Sequence, residues 1–110
     1  MNALSAYRLM WLLVMFDLPV TTASERKEAT GFHNHLLDFG FEMSQFSVYL
    51  RFCSGHSQVE TYCKKIEEVL PKGGRVNIVQ MTDKQYERII SYRGIAKQAA
   101  NKMPDQFCLF

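Results

Sequence analysis

The sequence has 110 residues, 47% of them hydrophobic, and a formal net charge of +2 at pH 7, which is the composition of one small globular domain. No apolar run reaches the ~20 residues that span a bilayer, and no small-residue cleavage site follows the run at 9–16, so neither a membrane anchor nor a signal peptide is predicted. The three cysteines, Cys53, Cys63 and Cys108, lack the CxxC spacing of zinc and redox sites. We expect reduced thiols in a cytoplasmic protein, two of them at core positions.

The first predicted element is an apolar strand, Met10–Asp17, that ends on an acid. Its run of large apolar residues is typical of a buried central strand, and Pro19 stops it because proline has no N–H for a strand ladder. Asp17, the only acid before residue 25, is thereby placed at the end of a strand, where functional groups are common. The alternative is a structural role, in which Asp17 accepts backbone N–H groups in the turn.

Three helix starts share one pattern, a hydroxyl followed three residues later by an acid or amide. This capping-box pattern occurs at Thr22-x-x-Glu25, Ser57-x-x-Glu60 and Thr82-x-x-Gln85. The first helix is predicted to run to about Phe39 and to be closed by Gly40. The second helix carries a full amphipathic stripe, and the third is short.

The remaining strands are predicted at Phe41–Met43, continuing through a bend into Phe46–Cys53, and at Arg75–Thr82. The order strand, helix, strand, strand, helix, strand predicts an α+β fold, a ferredoxin-like βαββαβ sandwich within residues 1–93. Residues 94–110 are predicted to form a separate C-terminal tail.

The strand at 46–53 alternates between two kinds of side chain, which predicts that it is half buried. An apolar face is formed by Phe46, Val48, Leu50 and Phe52. The opposite, more polar face is formed by Ser47, Tyr49, Arg51 and Cys53. The polar face could position a phosphate, but a cross-strand polar ladder explains it equally well.

The chain ends on a strand-like apolar segment, Gln106, Phe107, Cys108, Leu109 and Phe110. An exposed tail of this kind needs a partner, so we expect it to pair with a sheet edge, either its own or that of another subunit. The alternative is a frayed terminus.

Two motifs in a fixed order, FDLP at 16–19 and GFEMSQFSVY at 40–49, enclose a charged helix. Together they resemble the small CRISPR-associated protein number two family, the partner of the CRISPR integrase in the spacer acquisition of antiviral defence. The resemblance extends from about Tyr7 to Tyr92 and is greatest to systems with a single large effector nuclease. It implies a homodimer whose C-terminal strand is exchanged or docked across the interface.

The resemblance implies a scaffold that bridges integrase dimers and holds protospacer duplex DNA during spacer integration. The first alternative is a magnesium-dependent endoribonuclease or endodeoxyribonuclease, in which Mg²⁺ lies between the Asp17 carboxylates of two subunits. No DxD, HxxxE or HExxH motif accompanies Asp17, so no general base or second metal is identified. The second alternative is a toxin-like ribonuclease of the same fold, or a regulatory dimer without an integrase partner.

Small basic groups are the candidate nucleic-acid contacts, namely Arg26, Lys27, Arg51, Lys64 and Lys65. Arg26 matches a recurrent basic position of the family's first helix. Such side chains would contact phosphates rather than bases, although exposed charges on helices are often simply solvated. Gly31 and His33 depart from the usual basic character of this helix, and His33 is expected to be a partly buried packing residue.

Overall fold

The computed structural model describes residues 9–94, which form a four-stranded antiparallel sheet with the two long helices on one face. The sheet order is β2-β3-β1-β4, so the predicted α+β ferredoxin-like arrangement is confirmed. The elements are β1 (Met10–Asp17), α1 (Ala23–Asp38), β2 (Glu42–Gln45), β3 (Val48–Cys53), α2 (His56–Glu68), β4 (Arg75–Thr82) and α3 (Asp83–Glu87).

Strand β1 lies at the centre of the sheet, paired with β3 on one side and β4 on the other. Alternate β1 side chains point toward the helices, because successive residues of a strand face opposite sides. Those of Met10, Leu12 and Val14 are buried there. They pack with buried residues of both long helices, which are Phe32, Leu36, Val59 and Ile66.

The structure shows which face of β3 meets the helices, a point that the sequence pattern left open. Tyr49 and Cys53, assigned to the polar face, belong to the core under the helices, whereas Leu50 is buried outside that core cluster. Phe46 is not in the strand, since β3 begins at Val48. The alternation indicated a two-sided strand correctly, but large side chains occupy both faces, so the period alone did not decide which face meets the helices.

Two of the three predicted capping boxes are confirmed, and one is wrong. Thr22 and Thr82 each cap a helix, and their side-chain oxygens accept the N–H groups of Glu25 and Gln85, both at 3.1 Å. Helix α2 instead begins after Gly55, which has no side-chain cap.

Ser57 lies inside the first turn of α2 rather than at its cap. The side-chain contact at this helix start is made by Gln58, whose Oε1 accepts the Ser54 N–H at 3.0 Å. The chain therefore enters α2 earlier than the hydroxyl pattern indicated.

Helix α1 ends as predicted at Gly40, whose φ of +89° lies in the left-handed region that favours glycine. The Gly40 N–H donates to the carbonyl of Leu37, and the Phe41 N–H donates to that of Leu36, both at 3.0 Å. This pair of bonds is the Schellman arrangement. It directs the chain from α1 into the edge strand β2.

Cys53 is fully buried and Cys63 half-buried, and burial raises the pKa of both thiols. The predicted interface strand, from Gln106 to Phe110, lies outside the described residues, as does Cys108. The division at residues 93 and 94 stays a prediction. No helix within residues 9–94 combines the length and apolar character needed to cross a membrane.

Candidate functional site

Asp17 is the last residue of β1, as predicted, and it is exposed to solvent. It lies directly opposite Arg75, the first residue of β4, in the register of the two strands. The carboxylate therefore stands at one end of the sheet, on the central strand, with a cationic residue on the adjacent edge strand.

The backbone around Asp17 is enclosed by the loop that enters β4. Gly74 has a φ of +83°, and a Cβ there would lie 2.5 Å from the Asp17 carbonyl oxygen and 3.0 Å from the Leu18 Cα. Only glycine fits this contact, since both neighbours are backbone atoms. Gly74 therefore allows the loop to pass close to the backbone at the end of β1.

One chain supplies a single carboxylate to a metal at this place. Within residues 9–94, no group of three or more His, Cys, Asp or Glu side chains could hold an ion. Mg²⁺ is held by one or two carboxylates together with waters and substrate phosphates. The donor set fits Mg²⁺ if a second copy contributes its own Asp17, which is the arrangement that the resemblance implied for the nuclease alternative.

The first basic group lies on the opening turns of α1. Arg26 donates through Nη1 to the carbonyls of Val20 and Thr21, at 3.2 and 3.0 Å, and so holds the loop that follows β1. Lys27 beside it is exposed. Both line an open groove on the helix surface with Ala23, Thr30, Gly31 and Asn34.

Arg51 is committed to contacts within the chain. Its Nε donates to the Phe39 carbonyl at 2.8 Å, its Nη1 to the Phe52 carbonyl at 2.7 Å, and its Nη2 to the Tyr62 hydroxyl at 2.9 Å. The guanidinium also lies 3.9 Å from the centre of the Tyr62 ring. A phosphate at Arg51 would have to share donors that already join α1, β3 and α2.

Lys64 and Lys65 are exposed on α2, and the Lys65 Nζ lies 5.6 Å from the centre of the Phe39 ring. This second basic group is at the C-terminal end of α1, whereas Arg26 and Lys27 are at its N-terminal end. At 1.5 Å per residue, the 12 residues from Lys27 to Phe39 place the two groups roughly 18 Å apart along the axis. The five predicted contacts thus form two clusters rather than one patch.

His33 packs as predicted. Its Nδ1 is hydrogen-bonded to the hydroxyl of the buried Tyr49, and burial raises the pKa of that phenol. Tyr49 also stacks on Phe16, at 5.6 Å between ring centres. Neither His33 nor Tyr49 therefore offers a free group beside Asp17.

The sheet face opposite the long helices is apolar. We call it the open face, and it is formed by Trp11, Leu13, Met15, Leu50, Phe52, Val79 and Met81. The exposed fractions of Met15 and Phe52 are 39% and 40%, and Tyr86 of α3 stacks on Trp11 at one end of this face. A large apolar surface of this kind is typical of an interface.

Sequence reasoning missed one prominent side chain, Phe46. It lies in the turn between β2 and β3, where 89% of it is exposed, although the alternation had placed it on an apolar strand face. The adjacent Ser47 is a typical turn residue and was the available indication.

Comparisons with known proteins agree with this architecture. The family described as CRISPR associated protein Cas2 matches residues 10–89. A protein of Paracidovorax avenae named CRISPR-associated endoribonuclease Cas2 is 64% identical over 107 residues, covering 97% of this chain and 99% of the relative.

A protein of the same name from Flavobacterium psychrophilum is 42% identical, covering 97% of this chain and 93% of its own. A solved structure described as the crystal structure of cas2 covers 77% of this chain and 88% of that one, with a TM-score of 0.55 and 16% identity, which shows a common fold. On the family match and the two relatives, this chain belongs to the Cas2 family.

Proposed function

We propose that this chain acts in CRISPR adaptation as a homodimeric scaffold, which bridges two integrase dimers and supports a protospacer duplex during spacer integration. The observation that carries the proposal is the open face. A scaffold of this kind needs a rigid two-fold body, and the chain offers a well-packed sheet with one apolar side left for a second copy.

The open face favours a second copy of the chain as its occupant. Homodimer interfaces are self-complementary and resemble a domain core cut in half. Leu13 lies at the middle of the open face, on a central strand, and Met15 and Val79 remain 39% and 38% exposed. Packing two such faces together would bury these side chains and leave both sets of long helices outside.

The β4 edge supports the same arrangement. It is the outer strand of the sheet, and its Ile78 and Val79 are both exposed although they point to opposite faces. An edge that no strand within residues 9–94 covers, and that carries apolar side chains, is a template for an added strand. The C-terminal segment Gln106–Phe110 has the apolar character such a strand needs, and we propose that it pairs there across the dimer.

Duplex support is proposed to come from the two basic clusters of each subunit. Lys27 is exposed on α1, and Lys64 and Lys65 are exposed on α2. Dimerisation repeats both clusters about the two-fold axis, so that a long duplex could meet several of them. Contacts of this kind bind the phosphate backbone without reading bases.

The dimer is tested by placing a charge on the open face. Wild type is expected to sediment at twice the 12.8 kDa chain mass, and Met15→Glu near the chain mass, because a carboxylate cannot be buried in an apolar interface. Leu37→Glu is the matched control, since Leu37 is equally exposed but lies on α1. A monomeric wild type, or a Met15→Glu variant as dimeric as the control, would contradict the proposal.

Duplex binding is tested with Lys27→Ala, alone and combined with Arg26→Ala. Affinity for unrelated duplexes should fall equally, and the salt dependence should flatten by about one to two charges. Lys27→Ala alone is the cleaner variant, because Arg26 also holds the loop after β1. A loss that depended on sequence would indicate base contacts and contradict backbone support.

Nuclease activity is the second candidate, favoured by the exposed Asp17 and by the word endoribonuclease in the relatives' names. Mg²⁺ held by paired Asp17 carboxylates would polarise a phosphate and lower the pKa of a bound water. The chain's own contribution would be the carboxylate at the end of β1.

A further inference from the structure

Trp11, the single tryptophan of the chain, connects the start of β1 to the short helix α3. Its Nε1 donates to the Asp83 Oδ1 at 2.8 Å, and its ring stacks on that of Tyr86, with 3.9 Å between ring centres and 13° between the planes. The Asp83 N–H in turn donates to the carbonyl of Leu9 at 3.0 Å. We call Trp11, Asp83 and Tyr86 the latch.

The latch acts on α3 rather than on the sheet. Strands β1 and β4 already pair along their whole length, from Met10 opposite Thr82 to Asp17 opposite Arg75. Helix α3 has only five residues, none of them buried, so it is too short to be stable alone and gains little from packing. The latch therefore fixes the position of α3, and with it the direction of the chain that follows.

That direction is onto the open face. The side chain of Trp11 lies on the open face, because its neighbours Met10 and Leu12 point toward the helices, and Tyr86 stacks on it there. Residues 89–94 follow α3 in neither helix nor strand, and Ile90 and Tyr92 are 68% and 87% exposed. The chain beyond β4 is thus turned away from the edge of its own sheet, toward the side on which a second copy is proposed to pack.

We propose that the latch positions the chain for strand exchange, so that the C-terminal segment Gln106–Phe110 reaches the β4 edge of a second copy instead of its own. The proposal rests on the homodimer proposed above and adds to it the residues that determine which pairing forms. Both pairings make the same strand contacts, so the choice depends on the chain that leads to the strand. With the latch broken, α3 leaves the open face and the segment pairs with its own β4 edge in a monomer.

The first measurement is the dissociation constant of the dimer, obtained by sedimentation of the full chain over a range of concentrations. Asp83→Ala should raise it at least roughly 10-fold, because each subunit loses a hydrogen bond to a charged group. Tyr86→Ala should raise it at least roughly twofold, through the lost stack. Asp83→Asn should lie between Asp83→Ala and wild type, since its amide oxygen still accepts the indole N–H.

Lys84→Ala is the matched control, since Lys84 is exposed on the same helix but is not part of the latch, and it should dimerise like wild type. The fluorescence of Trp11 reports the latch directly and should change in Asp83→Ala but not in Lys84→Ala. A second measurement separates positioning from a general loss of stability. Leu109→Glu should weaken the dimer by itself, and adding Asp83→Ala should weaken it little further, because both changes act through the same strand.

Three results would overturn the latch while the wild type is a dimer. These are Asp83→Ala that dimerises like Lys84→Ala, full additivity of Asp83→Ala and Leu109→Glu, and Asp83→Ala that no longer folds, which would make the latch a part of the fold. Failure of the homodimer is seen separately, because a monomeric wild type would overturn the homodimer and the latch together.

Discussion

At the scale of single residues, Arg51 shows how a candidate contact can turn out to be committed to the fold. It was predicted from its place among polar residues, yet its guanidinium joins the end of α1 to Tyr62 of α2. The planar guanidinium has several N–H donors and can bond these groups at the same time, whereas a lysine ammonium cannot reproduce this geometry.

We therefore expect Arg51→Lys to lower the free energy of unfolding by about 1–2 kcal/mol, because hydrogen bonds to three partners are lost or weakened. Urea denaturation followed by circular dichroism measures the change. Lys64→Ala, an exposed substitution on α2, should stay within about 0.5 kcal/mol of wild type. Equal stability of Arg51→Lys and wild type would show that the network contributes nothing.

At the scale of elements, two glycines have opposite effects on the stability of the fold. Gly31 lies inside α1, and a Cβ there would meet nothing within 4 Å. Gly74 has a positive φ, and a Cβ there would collide with the Asp17 backbone. Glycine lowers the stability of a helix interior, but it is required in the loop.

Gly31→Ala should accordingly raise the free energy of unfolding by up to about 1 kcal/mol, and Gly74→Ala should lower it by about 2 kcal/mol or more. Thermal unfolding of the two variants side by side checks both signs. A destabilised Gly31→Ala variant would mean that α1 needs its glycine for a reason internal to the fold.

The same scale shows what the sequence could predict. The Thr22 and Thr82 caps and the Gly40 terminus are local signals, and each is confirmed. The Ser57 box failed because α2 already begins at His56, so Ser57 lies within the first turn, and the pattern does not fix the starting residue.

The orientation of β3 was left open by the sequence for a different reason. Tyr49 lies in the core, where its ring stacks on Phe16 and its hydroxyl bonds His33. Which face of β3 meets the helices therefore depends on tertiary contacts. The same difference applies to the candidate site. The strand pattern and Pro19 predict the position of Asp17, whereas the exposure of Phe46 depends on the turn, which the alternation did not predict.

At the scale of the whole molecule, the buried thiols and the buried tyrosine hydroxyl make the free energy of unfolding depend on pH. Burial raises the pKa of Cys53 and Cys63 above the ordinary 9.0, and that of Tyr49 above 10.0. The folded chain then binds more protons than the unfolded chain at alkaline pH. Stability must therefore fall as the pH rises from about 9, and these three groups contribute no slope well below that value.

Urea midpoints measured from pH 8 to pH 10 should decrease, and the decrease should be smaller in Cys53→Ala with Cys63→Ala. The double variant must be compared with its own value at pH 8, because removing the buried Cys53 also changes the packing. Midpoints that stay flat from pH 8 to pH 10 would contradict the assignment of these groups.

The central claim is that the chain works as a scaffold, in which the Asp17 carboxylate is not part of the integration chemistry. Asp17→Asn keeps the size of the side chain and removes its charge. The direct measurement is integration of a labelled protospacer duplex by purified integrase with wild-type or Asp17→Asn chain, after sedimentation has shown both to be dimers. We predict equal integration, and loss of any Mg²⁺-dependent cleavage by the chain alone. Integration abolished by Asp17→Asn, with the dimer and the complex intact, would contradict the scaffold account.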